Sequence, residues 1–246
     1  RMSEWKQKRF WKKAETVPVA DGFTVHLDGR AIKTPVKAGL IVPTRAIADA
    51  IAAEWDAQED LVKPHTMPVT RAANAAIDKV TPQFVEVADM LAAYGDSDLL
   101  CYRATSPDEL TERQADFWDP LLDWAETALN ARLVTVAGVM HQAQSPESLQ
   151  ELRQRTHALN AFELAAFHDL VSLSGSLIIA FAAIKGHLPP QTLWEVSRLD
   201  EIWQQEQWGK DDEAEAAAAI KAEAFFAAKR FFDLCQSLPD NPRPAA

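Results

Sequence analysis

The hydrophobic period changes near residue 44, and that change constrains this chain more than any other feature. Before it, apolar and polar residues alternate with period two; after it, apolar residues recur every three or four positions. Phe10-Trp11 opens an extended run, and Asp21-Gly22 is a turn signal. Phe23-Thr24-Val25-His26-Leu27 then reads as a half-buried strand. Asp28-Gly29 fits a two-residue hairpin turn, because both residues tolerate positive φ. Arg30 to Lys33 returns, and Leu40-Ile41-Val42 adds a short strand between Pro35 and Pro43.

The rest of the chain reads as helix, in keeping with only eight glycines and abundant alanine. Thr44 caps a helix whose Ile47, Ile51 and Trp55 form one apolar stripe. A second helix covers Val69 to Val80. A third opens at Thr81-Pro82, carries Phe84, Val87, Leu91 and Tyr94, and stops at Gly95. Ser106-Pro107-Asp108-Glu109 has the form of a capping box, and Asp119-Pro120 starts or kinks the next helix. Arg132 to Met140 is an extended connection, and Ser145 caps the helix after it. One apolar helix runs from Asn160 to Gly186, with Ser174-Gly175-Ser176 allowing close packing midway. Its uncharged stretch is shorter than the roughly 18 to 20 residues a membrane span needs, so it reads as the centre of a bundle. Pro189-Pro190 leads into a helix closed by Gly209, and Asp211, Asp212 and Glu213 begin the last one. The expected class is therefore α+β. A small amino-terminal domain with an antiparallel sheet and helices (1–80) precedes an all-helical carboxy-terminal domain (81–239) and a flexible tail (240–246).

A net charge of −11 argues against nucleic acid and anionic membranes as partners. No Gly-rich loop suits a nucleotide, and the six histidines show no i, i+4 pair of metal-ligand type. No cofactor or metal is expected. His168-Asp169, as sequence neighbours, should point to different helix faces. Asp96-Ser97-Asp98 looks like a turn rather than a cation site, and Ser3-Glu4-Trp5-Lys6 matches Ser-x-x-Lys only at a chain end. Cys101 and Cys235 read as two buried thiols of a reducing compartment. No apolar signal core follows Arg1-Met2-Ser3, so the chain is expected to be cytosolic or already processed.

Two features remain. The first is basic and aromatic: Lys6, Lys8, Arg9, Lys12 and Lys13 around Trp5, Phe10 and Trp11, either a solvated edge or a binding site. The second is acidic. Between Glu195 and Glu223 stand nine carboxylates and three cations (Arg198, Lys210, Lys221), a balance of −6. A run like this is usually a solvated helix face, but Trp203 and Trp208 interrupt it. Leu193, Val196, Leu199 and Trp203 fall on one stripe and are assigned to the core, and Gly209 ends the helix. Glu201, Glu206 and Trp208 lie off that stripe, and tryptophan at a surface is favoured where proteins grip one another.

Seven segments together resemble a known family. They are Gly-Arg-Ala-Ile-Lys-Thr-Pro (29–35), Val-Pro-Thr-Arg (42–45), Ala-Ala-Glu-Trp-Asp-Ala-Gln (52–58) and Met-Pro-Val-Thr-Arg-Ala-Ala-Asn-Ala-Ala-Ile-Asp (67–78). Asp-Leu-Leu-Cys-Tyr-Arg-Ala (98–104), Trp-Asp-Pro-Leu-Leu-Asp-Trp (118–124) and the acidic stretch 197–214 complete the set. In this order they resemble the assembly chaperones of the F-type ATP synthase catalytic head, the family that holds the unassembled α subunit. The resemblance implies an ATP-independent holder that shields the free α subunit until a β subunit replaces it. It further implies an α+β domain followed by a helical one. The family's functionally important acidic position is carried onto Glu213, with Glu206 and Glu201 beside it, and Trp208 and Asp211 complete the expected grip. The family's Glu-Trp motif falls on Trp55, whose spacing from Ile47 and Ile51 gives it a packing role. A monomer is expected, in the cytoplasm if bacterial and in the mitochondrial matrix if eukaryotic. The rival readings are a small-molecule enzyme using Asp211 and Glu213 as an inter-domain carboxylate pair, and an adaptor for another protein.

Overall fold

The computed structural model describes residues 7–236. Trp5, Lys6, the Ser3–Lys6 motif and the tail 240–246 lie outside the described residues. The class is α+β, with a three-stranded antiparallel sheet near the amino end and helices dominating the rest. Two compact units emerge. Among the described residues, one takes 7–82, 161–165 and 230–236, and the other 83–160 and 166–229.

In the first unit, β1 (Ala14–Val19), β2 (Gly22–Leu27) and β3 (Arg30–Ala31) form a meander in the order β1-β2-β3. The register runs from Ala14 opposite Leu27 to Val19 opposite Gly22. The β2–β3 turn holds Asp28 at φ 48° and Gly29 at φ 83°, the geometry the Asp-Gly pair favours. Asp28 also accepts hydrogen bonds from the Lys13 and Lys12 amides at 2.9 and 3.0 Å, which hold its carboxyl below the usual carboxylate range. The extended run expected from Phe10 begins as a strand only at Ala14. Residues 40–42 form no strand; Val42 exchanges two backbone bonds with Phe23 instead. That approach requires Gly22, since a Cβ there would lie 2.3 Å from the Val42 carbonyl oxygen.

Helix α1 (Arg45–Asp56) lays Ile47 and Ile51 against the sheet. Thr44 Oγ1 accepts from the Ile47 amide at 3.2 Å and donates to the Leu234 carbonyl at 2.8 Å. Thr44→Ala therefore loses a cap and a tertiary bond, and a thermal melt should fall by about 2–4 °C for about 1 kcal/mol. A midpoint unchanged within error would show that water replaces both contacts. Helix α2 (Pro68–Ala75) starts at Met67, which offers no capping side chain. Glu54 from α1 supplies the acceptor, taking the Val69 and Thr70 amides at 2.9 and 2.7 Å and the Thr70 hydroxyl at 2.7 Å. Its neighbour Trp55 is half-buried and meets the buried Trp11 edge-on at 5.1 Å. Residues 76–80 continue as a π turn.

The second unit begins with α3 (Phe84–Ala92), followed by β4 (Tyr102–Arg103), which pairs in parallel with β5 (Val136–Ala137). Helix α4 (Asp108–Leu129) is a single helix of 22 residues with Pro120 inside it, so Pro120 starts no new element. Proline deprives only the Asp116 carbonyl of its partner, and both residues are exposed, so water can serve that group. The capping box does not form: Pro107 is the N-cap and makes no side-chain bond. Helix α5 spans Pro146–His157 and is capped by Ser145. The apolar segment is two helices, α6 (Ala161–Ser174) and α7 (Leu177–Ile184), broken where Gly175 takes φ +72°. Ser174-Gly175-Ser176 is thus a helix break rather than a mid-helix packing notch. The buried Asp98 organises that break. It accepts from the Leu100 amide at 3.0 Å, the Ser176 hydroxyl at 2.7 Å and the Ile178 amide at 3.0 Å. Helix α7 is buried from Leu177 to Ala183, and Phe181 meets Phe167 at 4.8 Å. Helices α8 (Pro190–Ser197), α9 (Leu199–Trp208) and α10 (Asp212–Cys235) complete the chain. The cysteines are free; Cys101 is buried and Cys235 half-buried, and burial pushes each thiol up to about 12.

Candidate partner-binding surface

Helices α8 and α9 are one amphipathic stretch bent at Arg198, which serves as C-cap of the first and N-cap of the second. The bend is held from α4. Trp118, fully buried, donates from Nε1 to the Val196 carbonyl at 2.9 Å. Four and five residues earlier on α4, Gln114 donates to Asp200 at 2.8 Å and Arg113 pairs with Glu206 at 2.7 Å. The Arg113 guanidinium also lies 4.9 Å over the Trp203 ring. Trp203 is half-buried beneath that cation, not in the core where its stripe placed it. Leu199 is buried as expected.

The remaining candidates spread along α9 and the start of α10. Glu201 is exposed, 3.6 Å from Arg198. Trp208 is 84 % exposed at the last position of α9. Gly209 follows at φ +91°, its amide bonded to the Gln205 carbonyl at 2.9 Å, and ends the helix. Asp211 Oδ1 accepts from the Glu213 and Ala214 amides at 2.9 and 3.2 Å, the geometry of a helix cap. Glu213 stands exposed in the first turn of α10 with Asp212 and Glu215, where carboxylates suit the positive end of the helix. Glu201 and Trp208 lie seven residues apart and so share a face of α9. Glu206 points instead at Arg113.

Sequence reasoning missed two grooves beside α9. One, of about 440 Å³, has an apolar floor of Phe117, Val196, Leu199 and Ile202, with Arg113, Glu195 and Glu206 at its rim. Phe117 is 55 % exposed although it adjoins the buried Trp118. The other, of about 280 Å³, runs between α8–α9 and α10; Glu195, Glu201, Glu215 and Arg198 surround a floor that includes Ala218, Ala219 and Ala222. A hint of the first existed in Phe117, one position off the α4 stripe of Leu110, Gln114, Trp118 and Leu121.

Elsewhere, the basic amino-terminal cluster divides. Trp11 is buried and Phe10 exposed. Arg9 is committed to the Asp56 and Gln58 carbonyls at 2.7 and 2.5 Å. His168 and Asp169, expected to diverge, meet at 3.0 Å on the surface. Among the described residues, no cluster of His, Cys, Asp or Glu is arranged to hold a metal ion, and no helix is long and apolar enough to cross a membrane.

The fold is shared with known proteins. The family model described as ATP12 chaperone protein matches residues 8–126. The protein named atp12, mitochondrial, of Schizosaccharomyces pombe is 30 % identical over 221 residues, covering 84 % of this chain and 75 % of its own. The crystal structure of Atp12 from Paracoccus denitrificans superimposes with a TM-score of 0.92 at 47 % identity, covering 94 % of this chain and all of that one. A putative chaperone from Agrobacterium tumefaciens gives 0.89 at 41 % identity, over 92 % of this chain and 85 % of that one.

Proposed function

Because the chain belongs to the ATP12 chaperone family, we propose that it is an assembly chaperone of the F-type ATP synthase that binds and shields the free α subunit. A subunit destined for a larger complex exposes apolar patches and unpaired charge while alone, and both favour aggregation. A holder must cover them with affinity low enough for a β subunit to displace it, and no nucleotide is needed. The observation that carries this reading is Trp208, 84 % exposed on a helix whose flanking carboxylates leave residues 195–223 with a balance of −6. A large aromatic anchor inside an acidic rim is an economical way to hold a basic, partly apolar surface. The chain acts as a monomer, in the bacterial cytoplasm or, in a eukaryote, the mitochondrial matrix.

Light scattering of α subunit unfolded by mild heat tests this directly. Equimolar chain should suppress the aggregation signal without ATP, and ATP should not change the effect. Trp208→Ala should weaken the protecting complex about tenfold, the scale of an interface hot spot. Glu213→Lys should abolish protection while circular dichroism stays unchanged. Wild-type chain that fails to suppress aggregation would remove the reading.

A further inference from the structure

The two grooves flanking α9 are neighbours: Glu195 and Ile202 line both. That shared ridge separates chemically opposite walls. On one side Phe117, Val196 and Leu199 offer an apolar floor large enough for a bulky side chain. On the other, three carboxylates (Glu195, Glu201, Glu215) line the wall with Arg198, and Lys210 reaches Glu215 from beyond the lining, which leaves one carboxylate in excess. The internal pairs there are weak competitors for a ligand. Glu201 sits 3.6 Å from Arg198, and Glu215 pairs with Lys210 at 3.1 Å, both near the surface, where such pairs contribute little. A cation arriving from outside therefore gains the field of the acidic wall without breaking a costly bond.

We propose that this ridge reads a basic amphipathic segment of the client, with an apolar side chain seated against Phe117 and Leu199 and a Lys or Arg from the next turn laid over Ile202 between Glu195, Glu201 and Glu215. The proposal rests on the chaperone reading above and extends it from an acidic surface to a defined two-part recognition element. An apolar side chain alone would leave the carboxylates unpaired, and a cation alone would leave the floor wet. The pairing of the two gives selectivity that neither groove has by itself. Trp208, seven residues from Glu201 on the outward face of α9, lies outside both grooves and acts as a separate contact.

Fluorescence anisotropy with the full chain tests it, using a fluorescein-labelled alanine-based helical peptide carrying Leu and Lys four residues apart. Two twins replace every Lys by Glu or every Leu by Ser. Wild-type chain should bind the Leu/Lys peptide about tenfold more tightly than either twin. Phe117→Ser should remove the preference for Leu over Ser while keeping that for Lys over Glu. Glu195→Lys should do the reverse. Both positions are exposed, so each variant should keep its fold, checked by circular dichroism. Equal binding of the three peptides, or unchanged preferences in both variants, would overturn the proposal. The chaperone reading fails separately. If the Phe117→Ser, Glu195→Lys double variant protects α subunit as well as wild type, the ridge is wrong and the chaperone stands. If peptides discriminate as stated but wild type protects no α subunit, the ridge stands and the client is another protein.

Discussion

Asp98→Ala is expected to destabilise the fold by about 3 kcal/mol, lowering the thermal midpoint by roughly 6–12 °C. The substitution strands three donors, the Leu100 amide, the Ser176 hydroxyl and the Ile178 amide, in a place water does not reach. It also frees the start of α7, whose side chains from Leu177 to Ala183 are all buried. Ser176→Ala should cost less, about 1 kcal/mol, because Asp98 keeps two of its donors. The double variant should fall short of the sum by at least about 0.5 kcal/mol, the sign of a shared network. Additive effects, or a midpoint for Asp98→Ala within about 2 °C of wild type, would show that the carboxylate is incidental.

The same residue gives a pH signature. Burial pushes the Asp98 carboxyl above its ordinary 3.8, against the pull of the Ile178 and Leu100 amides and the Ser176 hydroxyl. The folded chain thus holds this proton more firmly than the unfolded chain does. The stability from Asp98 is then fully present below the ordinary value and is lost as pH rises through the folded value. Asp98→Asn has a similar shape and cannot ionise. Urea unfolding across a pH series should show the advantage of wild type over Asp98→Asn narrowing as pH climbs above 3.8. Parallel curves would contradict the shift.

Asp98 also marks the limit of what the sequence discloses. The Asp28-Gly29 turn and the Thr44 and Ser145 caps were legible because their causes are local, a φ preference or an oxygen three residues from an amide. The break at Gly175 was not. Its determinant is Asp98, 78 positions from Ser176, and without that contact the stretch reads as uninterrupted apolar helix. Pro120 left a helix start and a position inside a helix both open for a related reason: its cost depends on whether the orphaned Asp116 carbonyl faces water, a fact of tertiary placement.

The candidate surface divides along the same line. Its carboxylates, Trp208 and the Gly209 stop could be read from residue type and spacing. Trp203 could not be placed, because helical periodicity cannot separate a core position from one lidded by a distant cation, here Arg113. The grooves were invisible because Phe117 and Ile202 come from different helices and only the fold brings them together.

Trp118 is one of the three α4 residues that hold these helices together, beside Gln114 and Arg113, and its loss should have the other large effect. Its side chain is wholly buried, with Arg103 stacked 5.6 Å over the ring and the Val196 carbonyl as its hydrogen-bond partner. Trp118→Ala leaves a large cavity and should cost about 3–5 kcal/mol, a midpoint drop of roughly 6–20 °C. Trp118→Phe keeps much of the volume but removes the indole hydrogen bond to the Val196 carbonyl, so about 1 kcal/mol is expected. The second variant carries the sharper inference. Val196 is two residues before the Arg198 bend, so the lost bond should loosen the α8–α9 elbow selectively. Hydrogen exchange at the amides of 196–202 should accelerate more than at those of α3 and α5. Because Val196, Leu199 and Ile202 form the floor of the apolar groove, the Leu/Lys peptide should bind Trp118→Phe more weakly even where the chain remains folded. Exchange that rises evenly across the second unit would mean that Trp118 supports the unit as a whole and does not set the elbow.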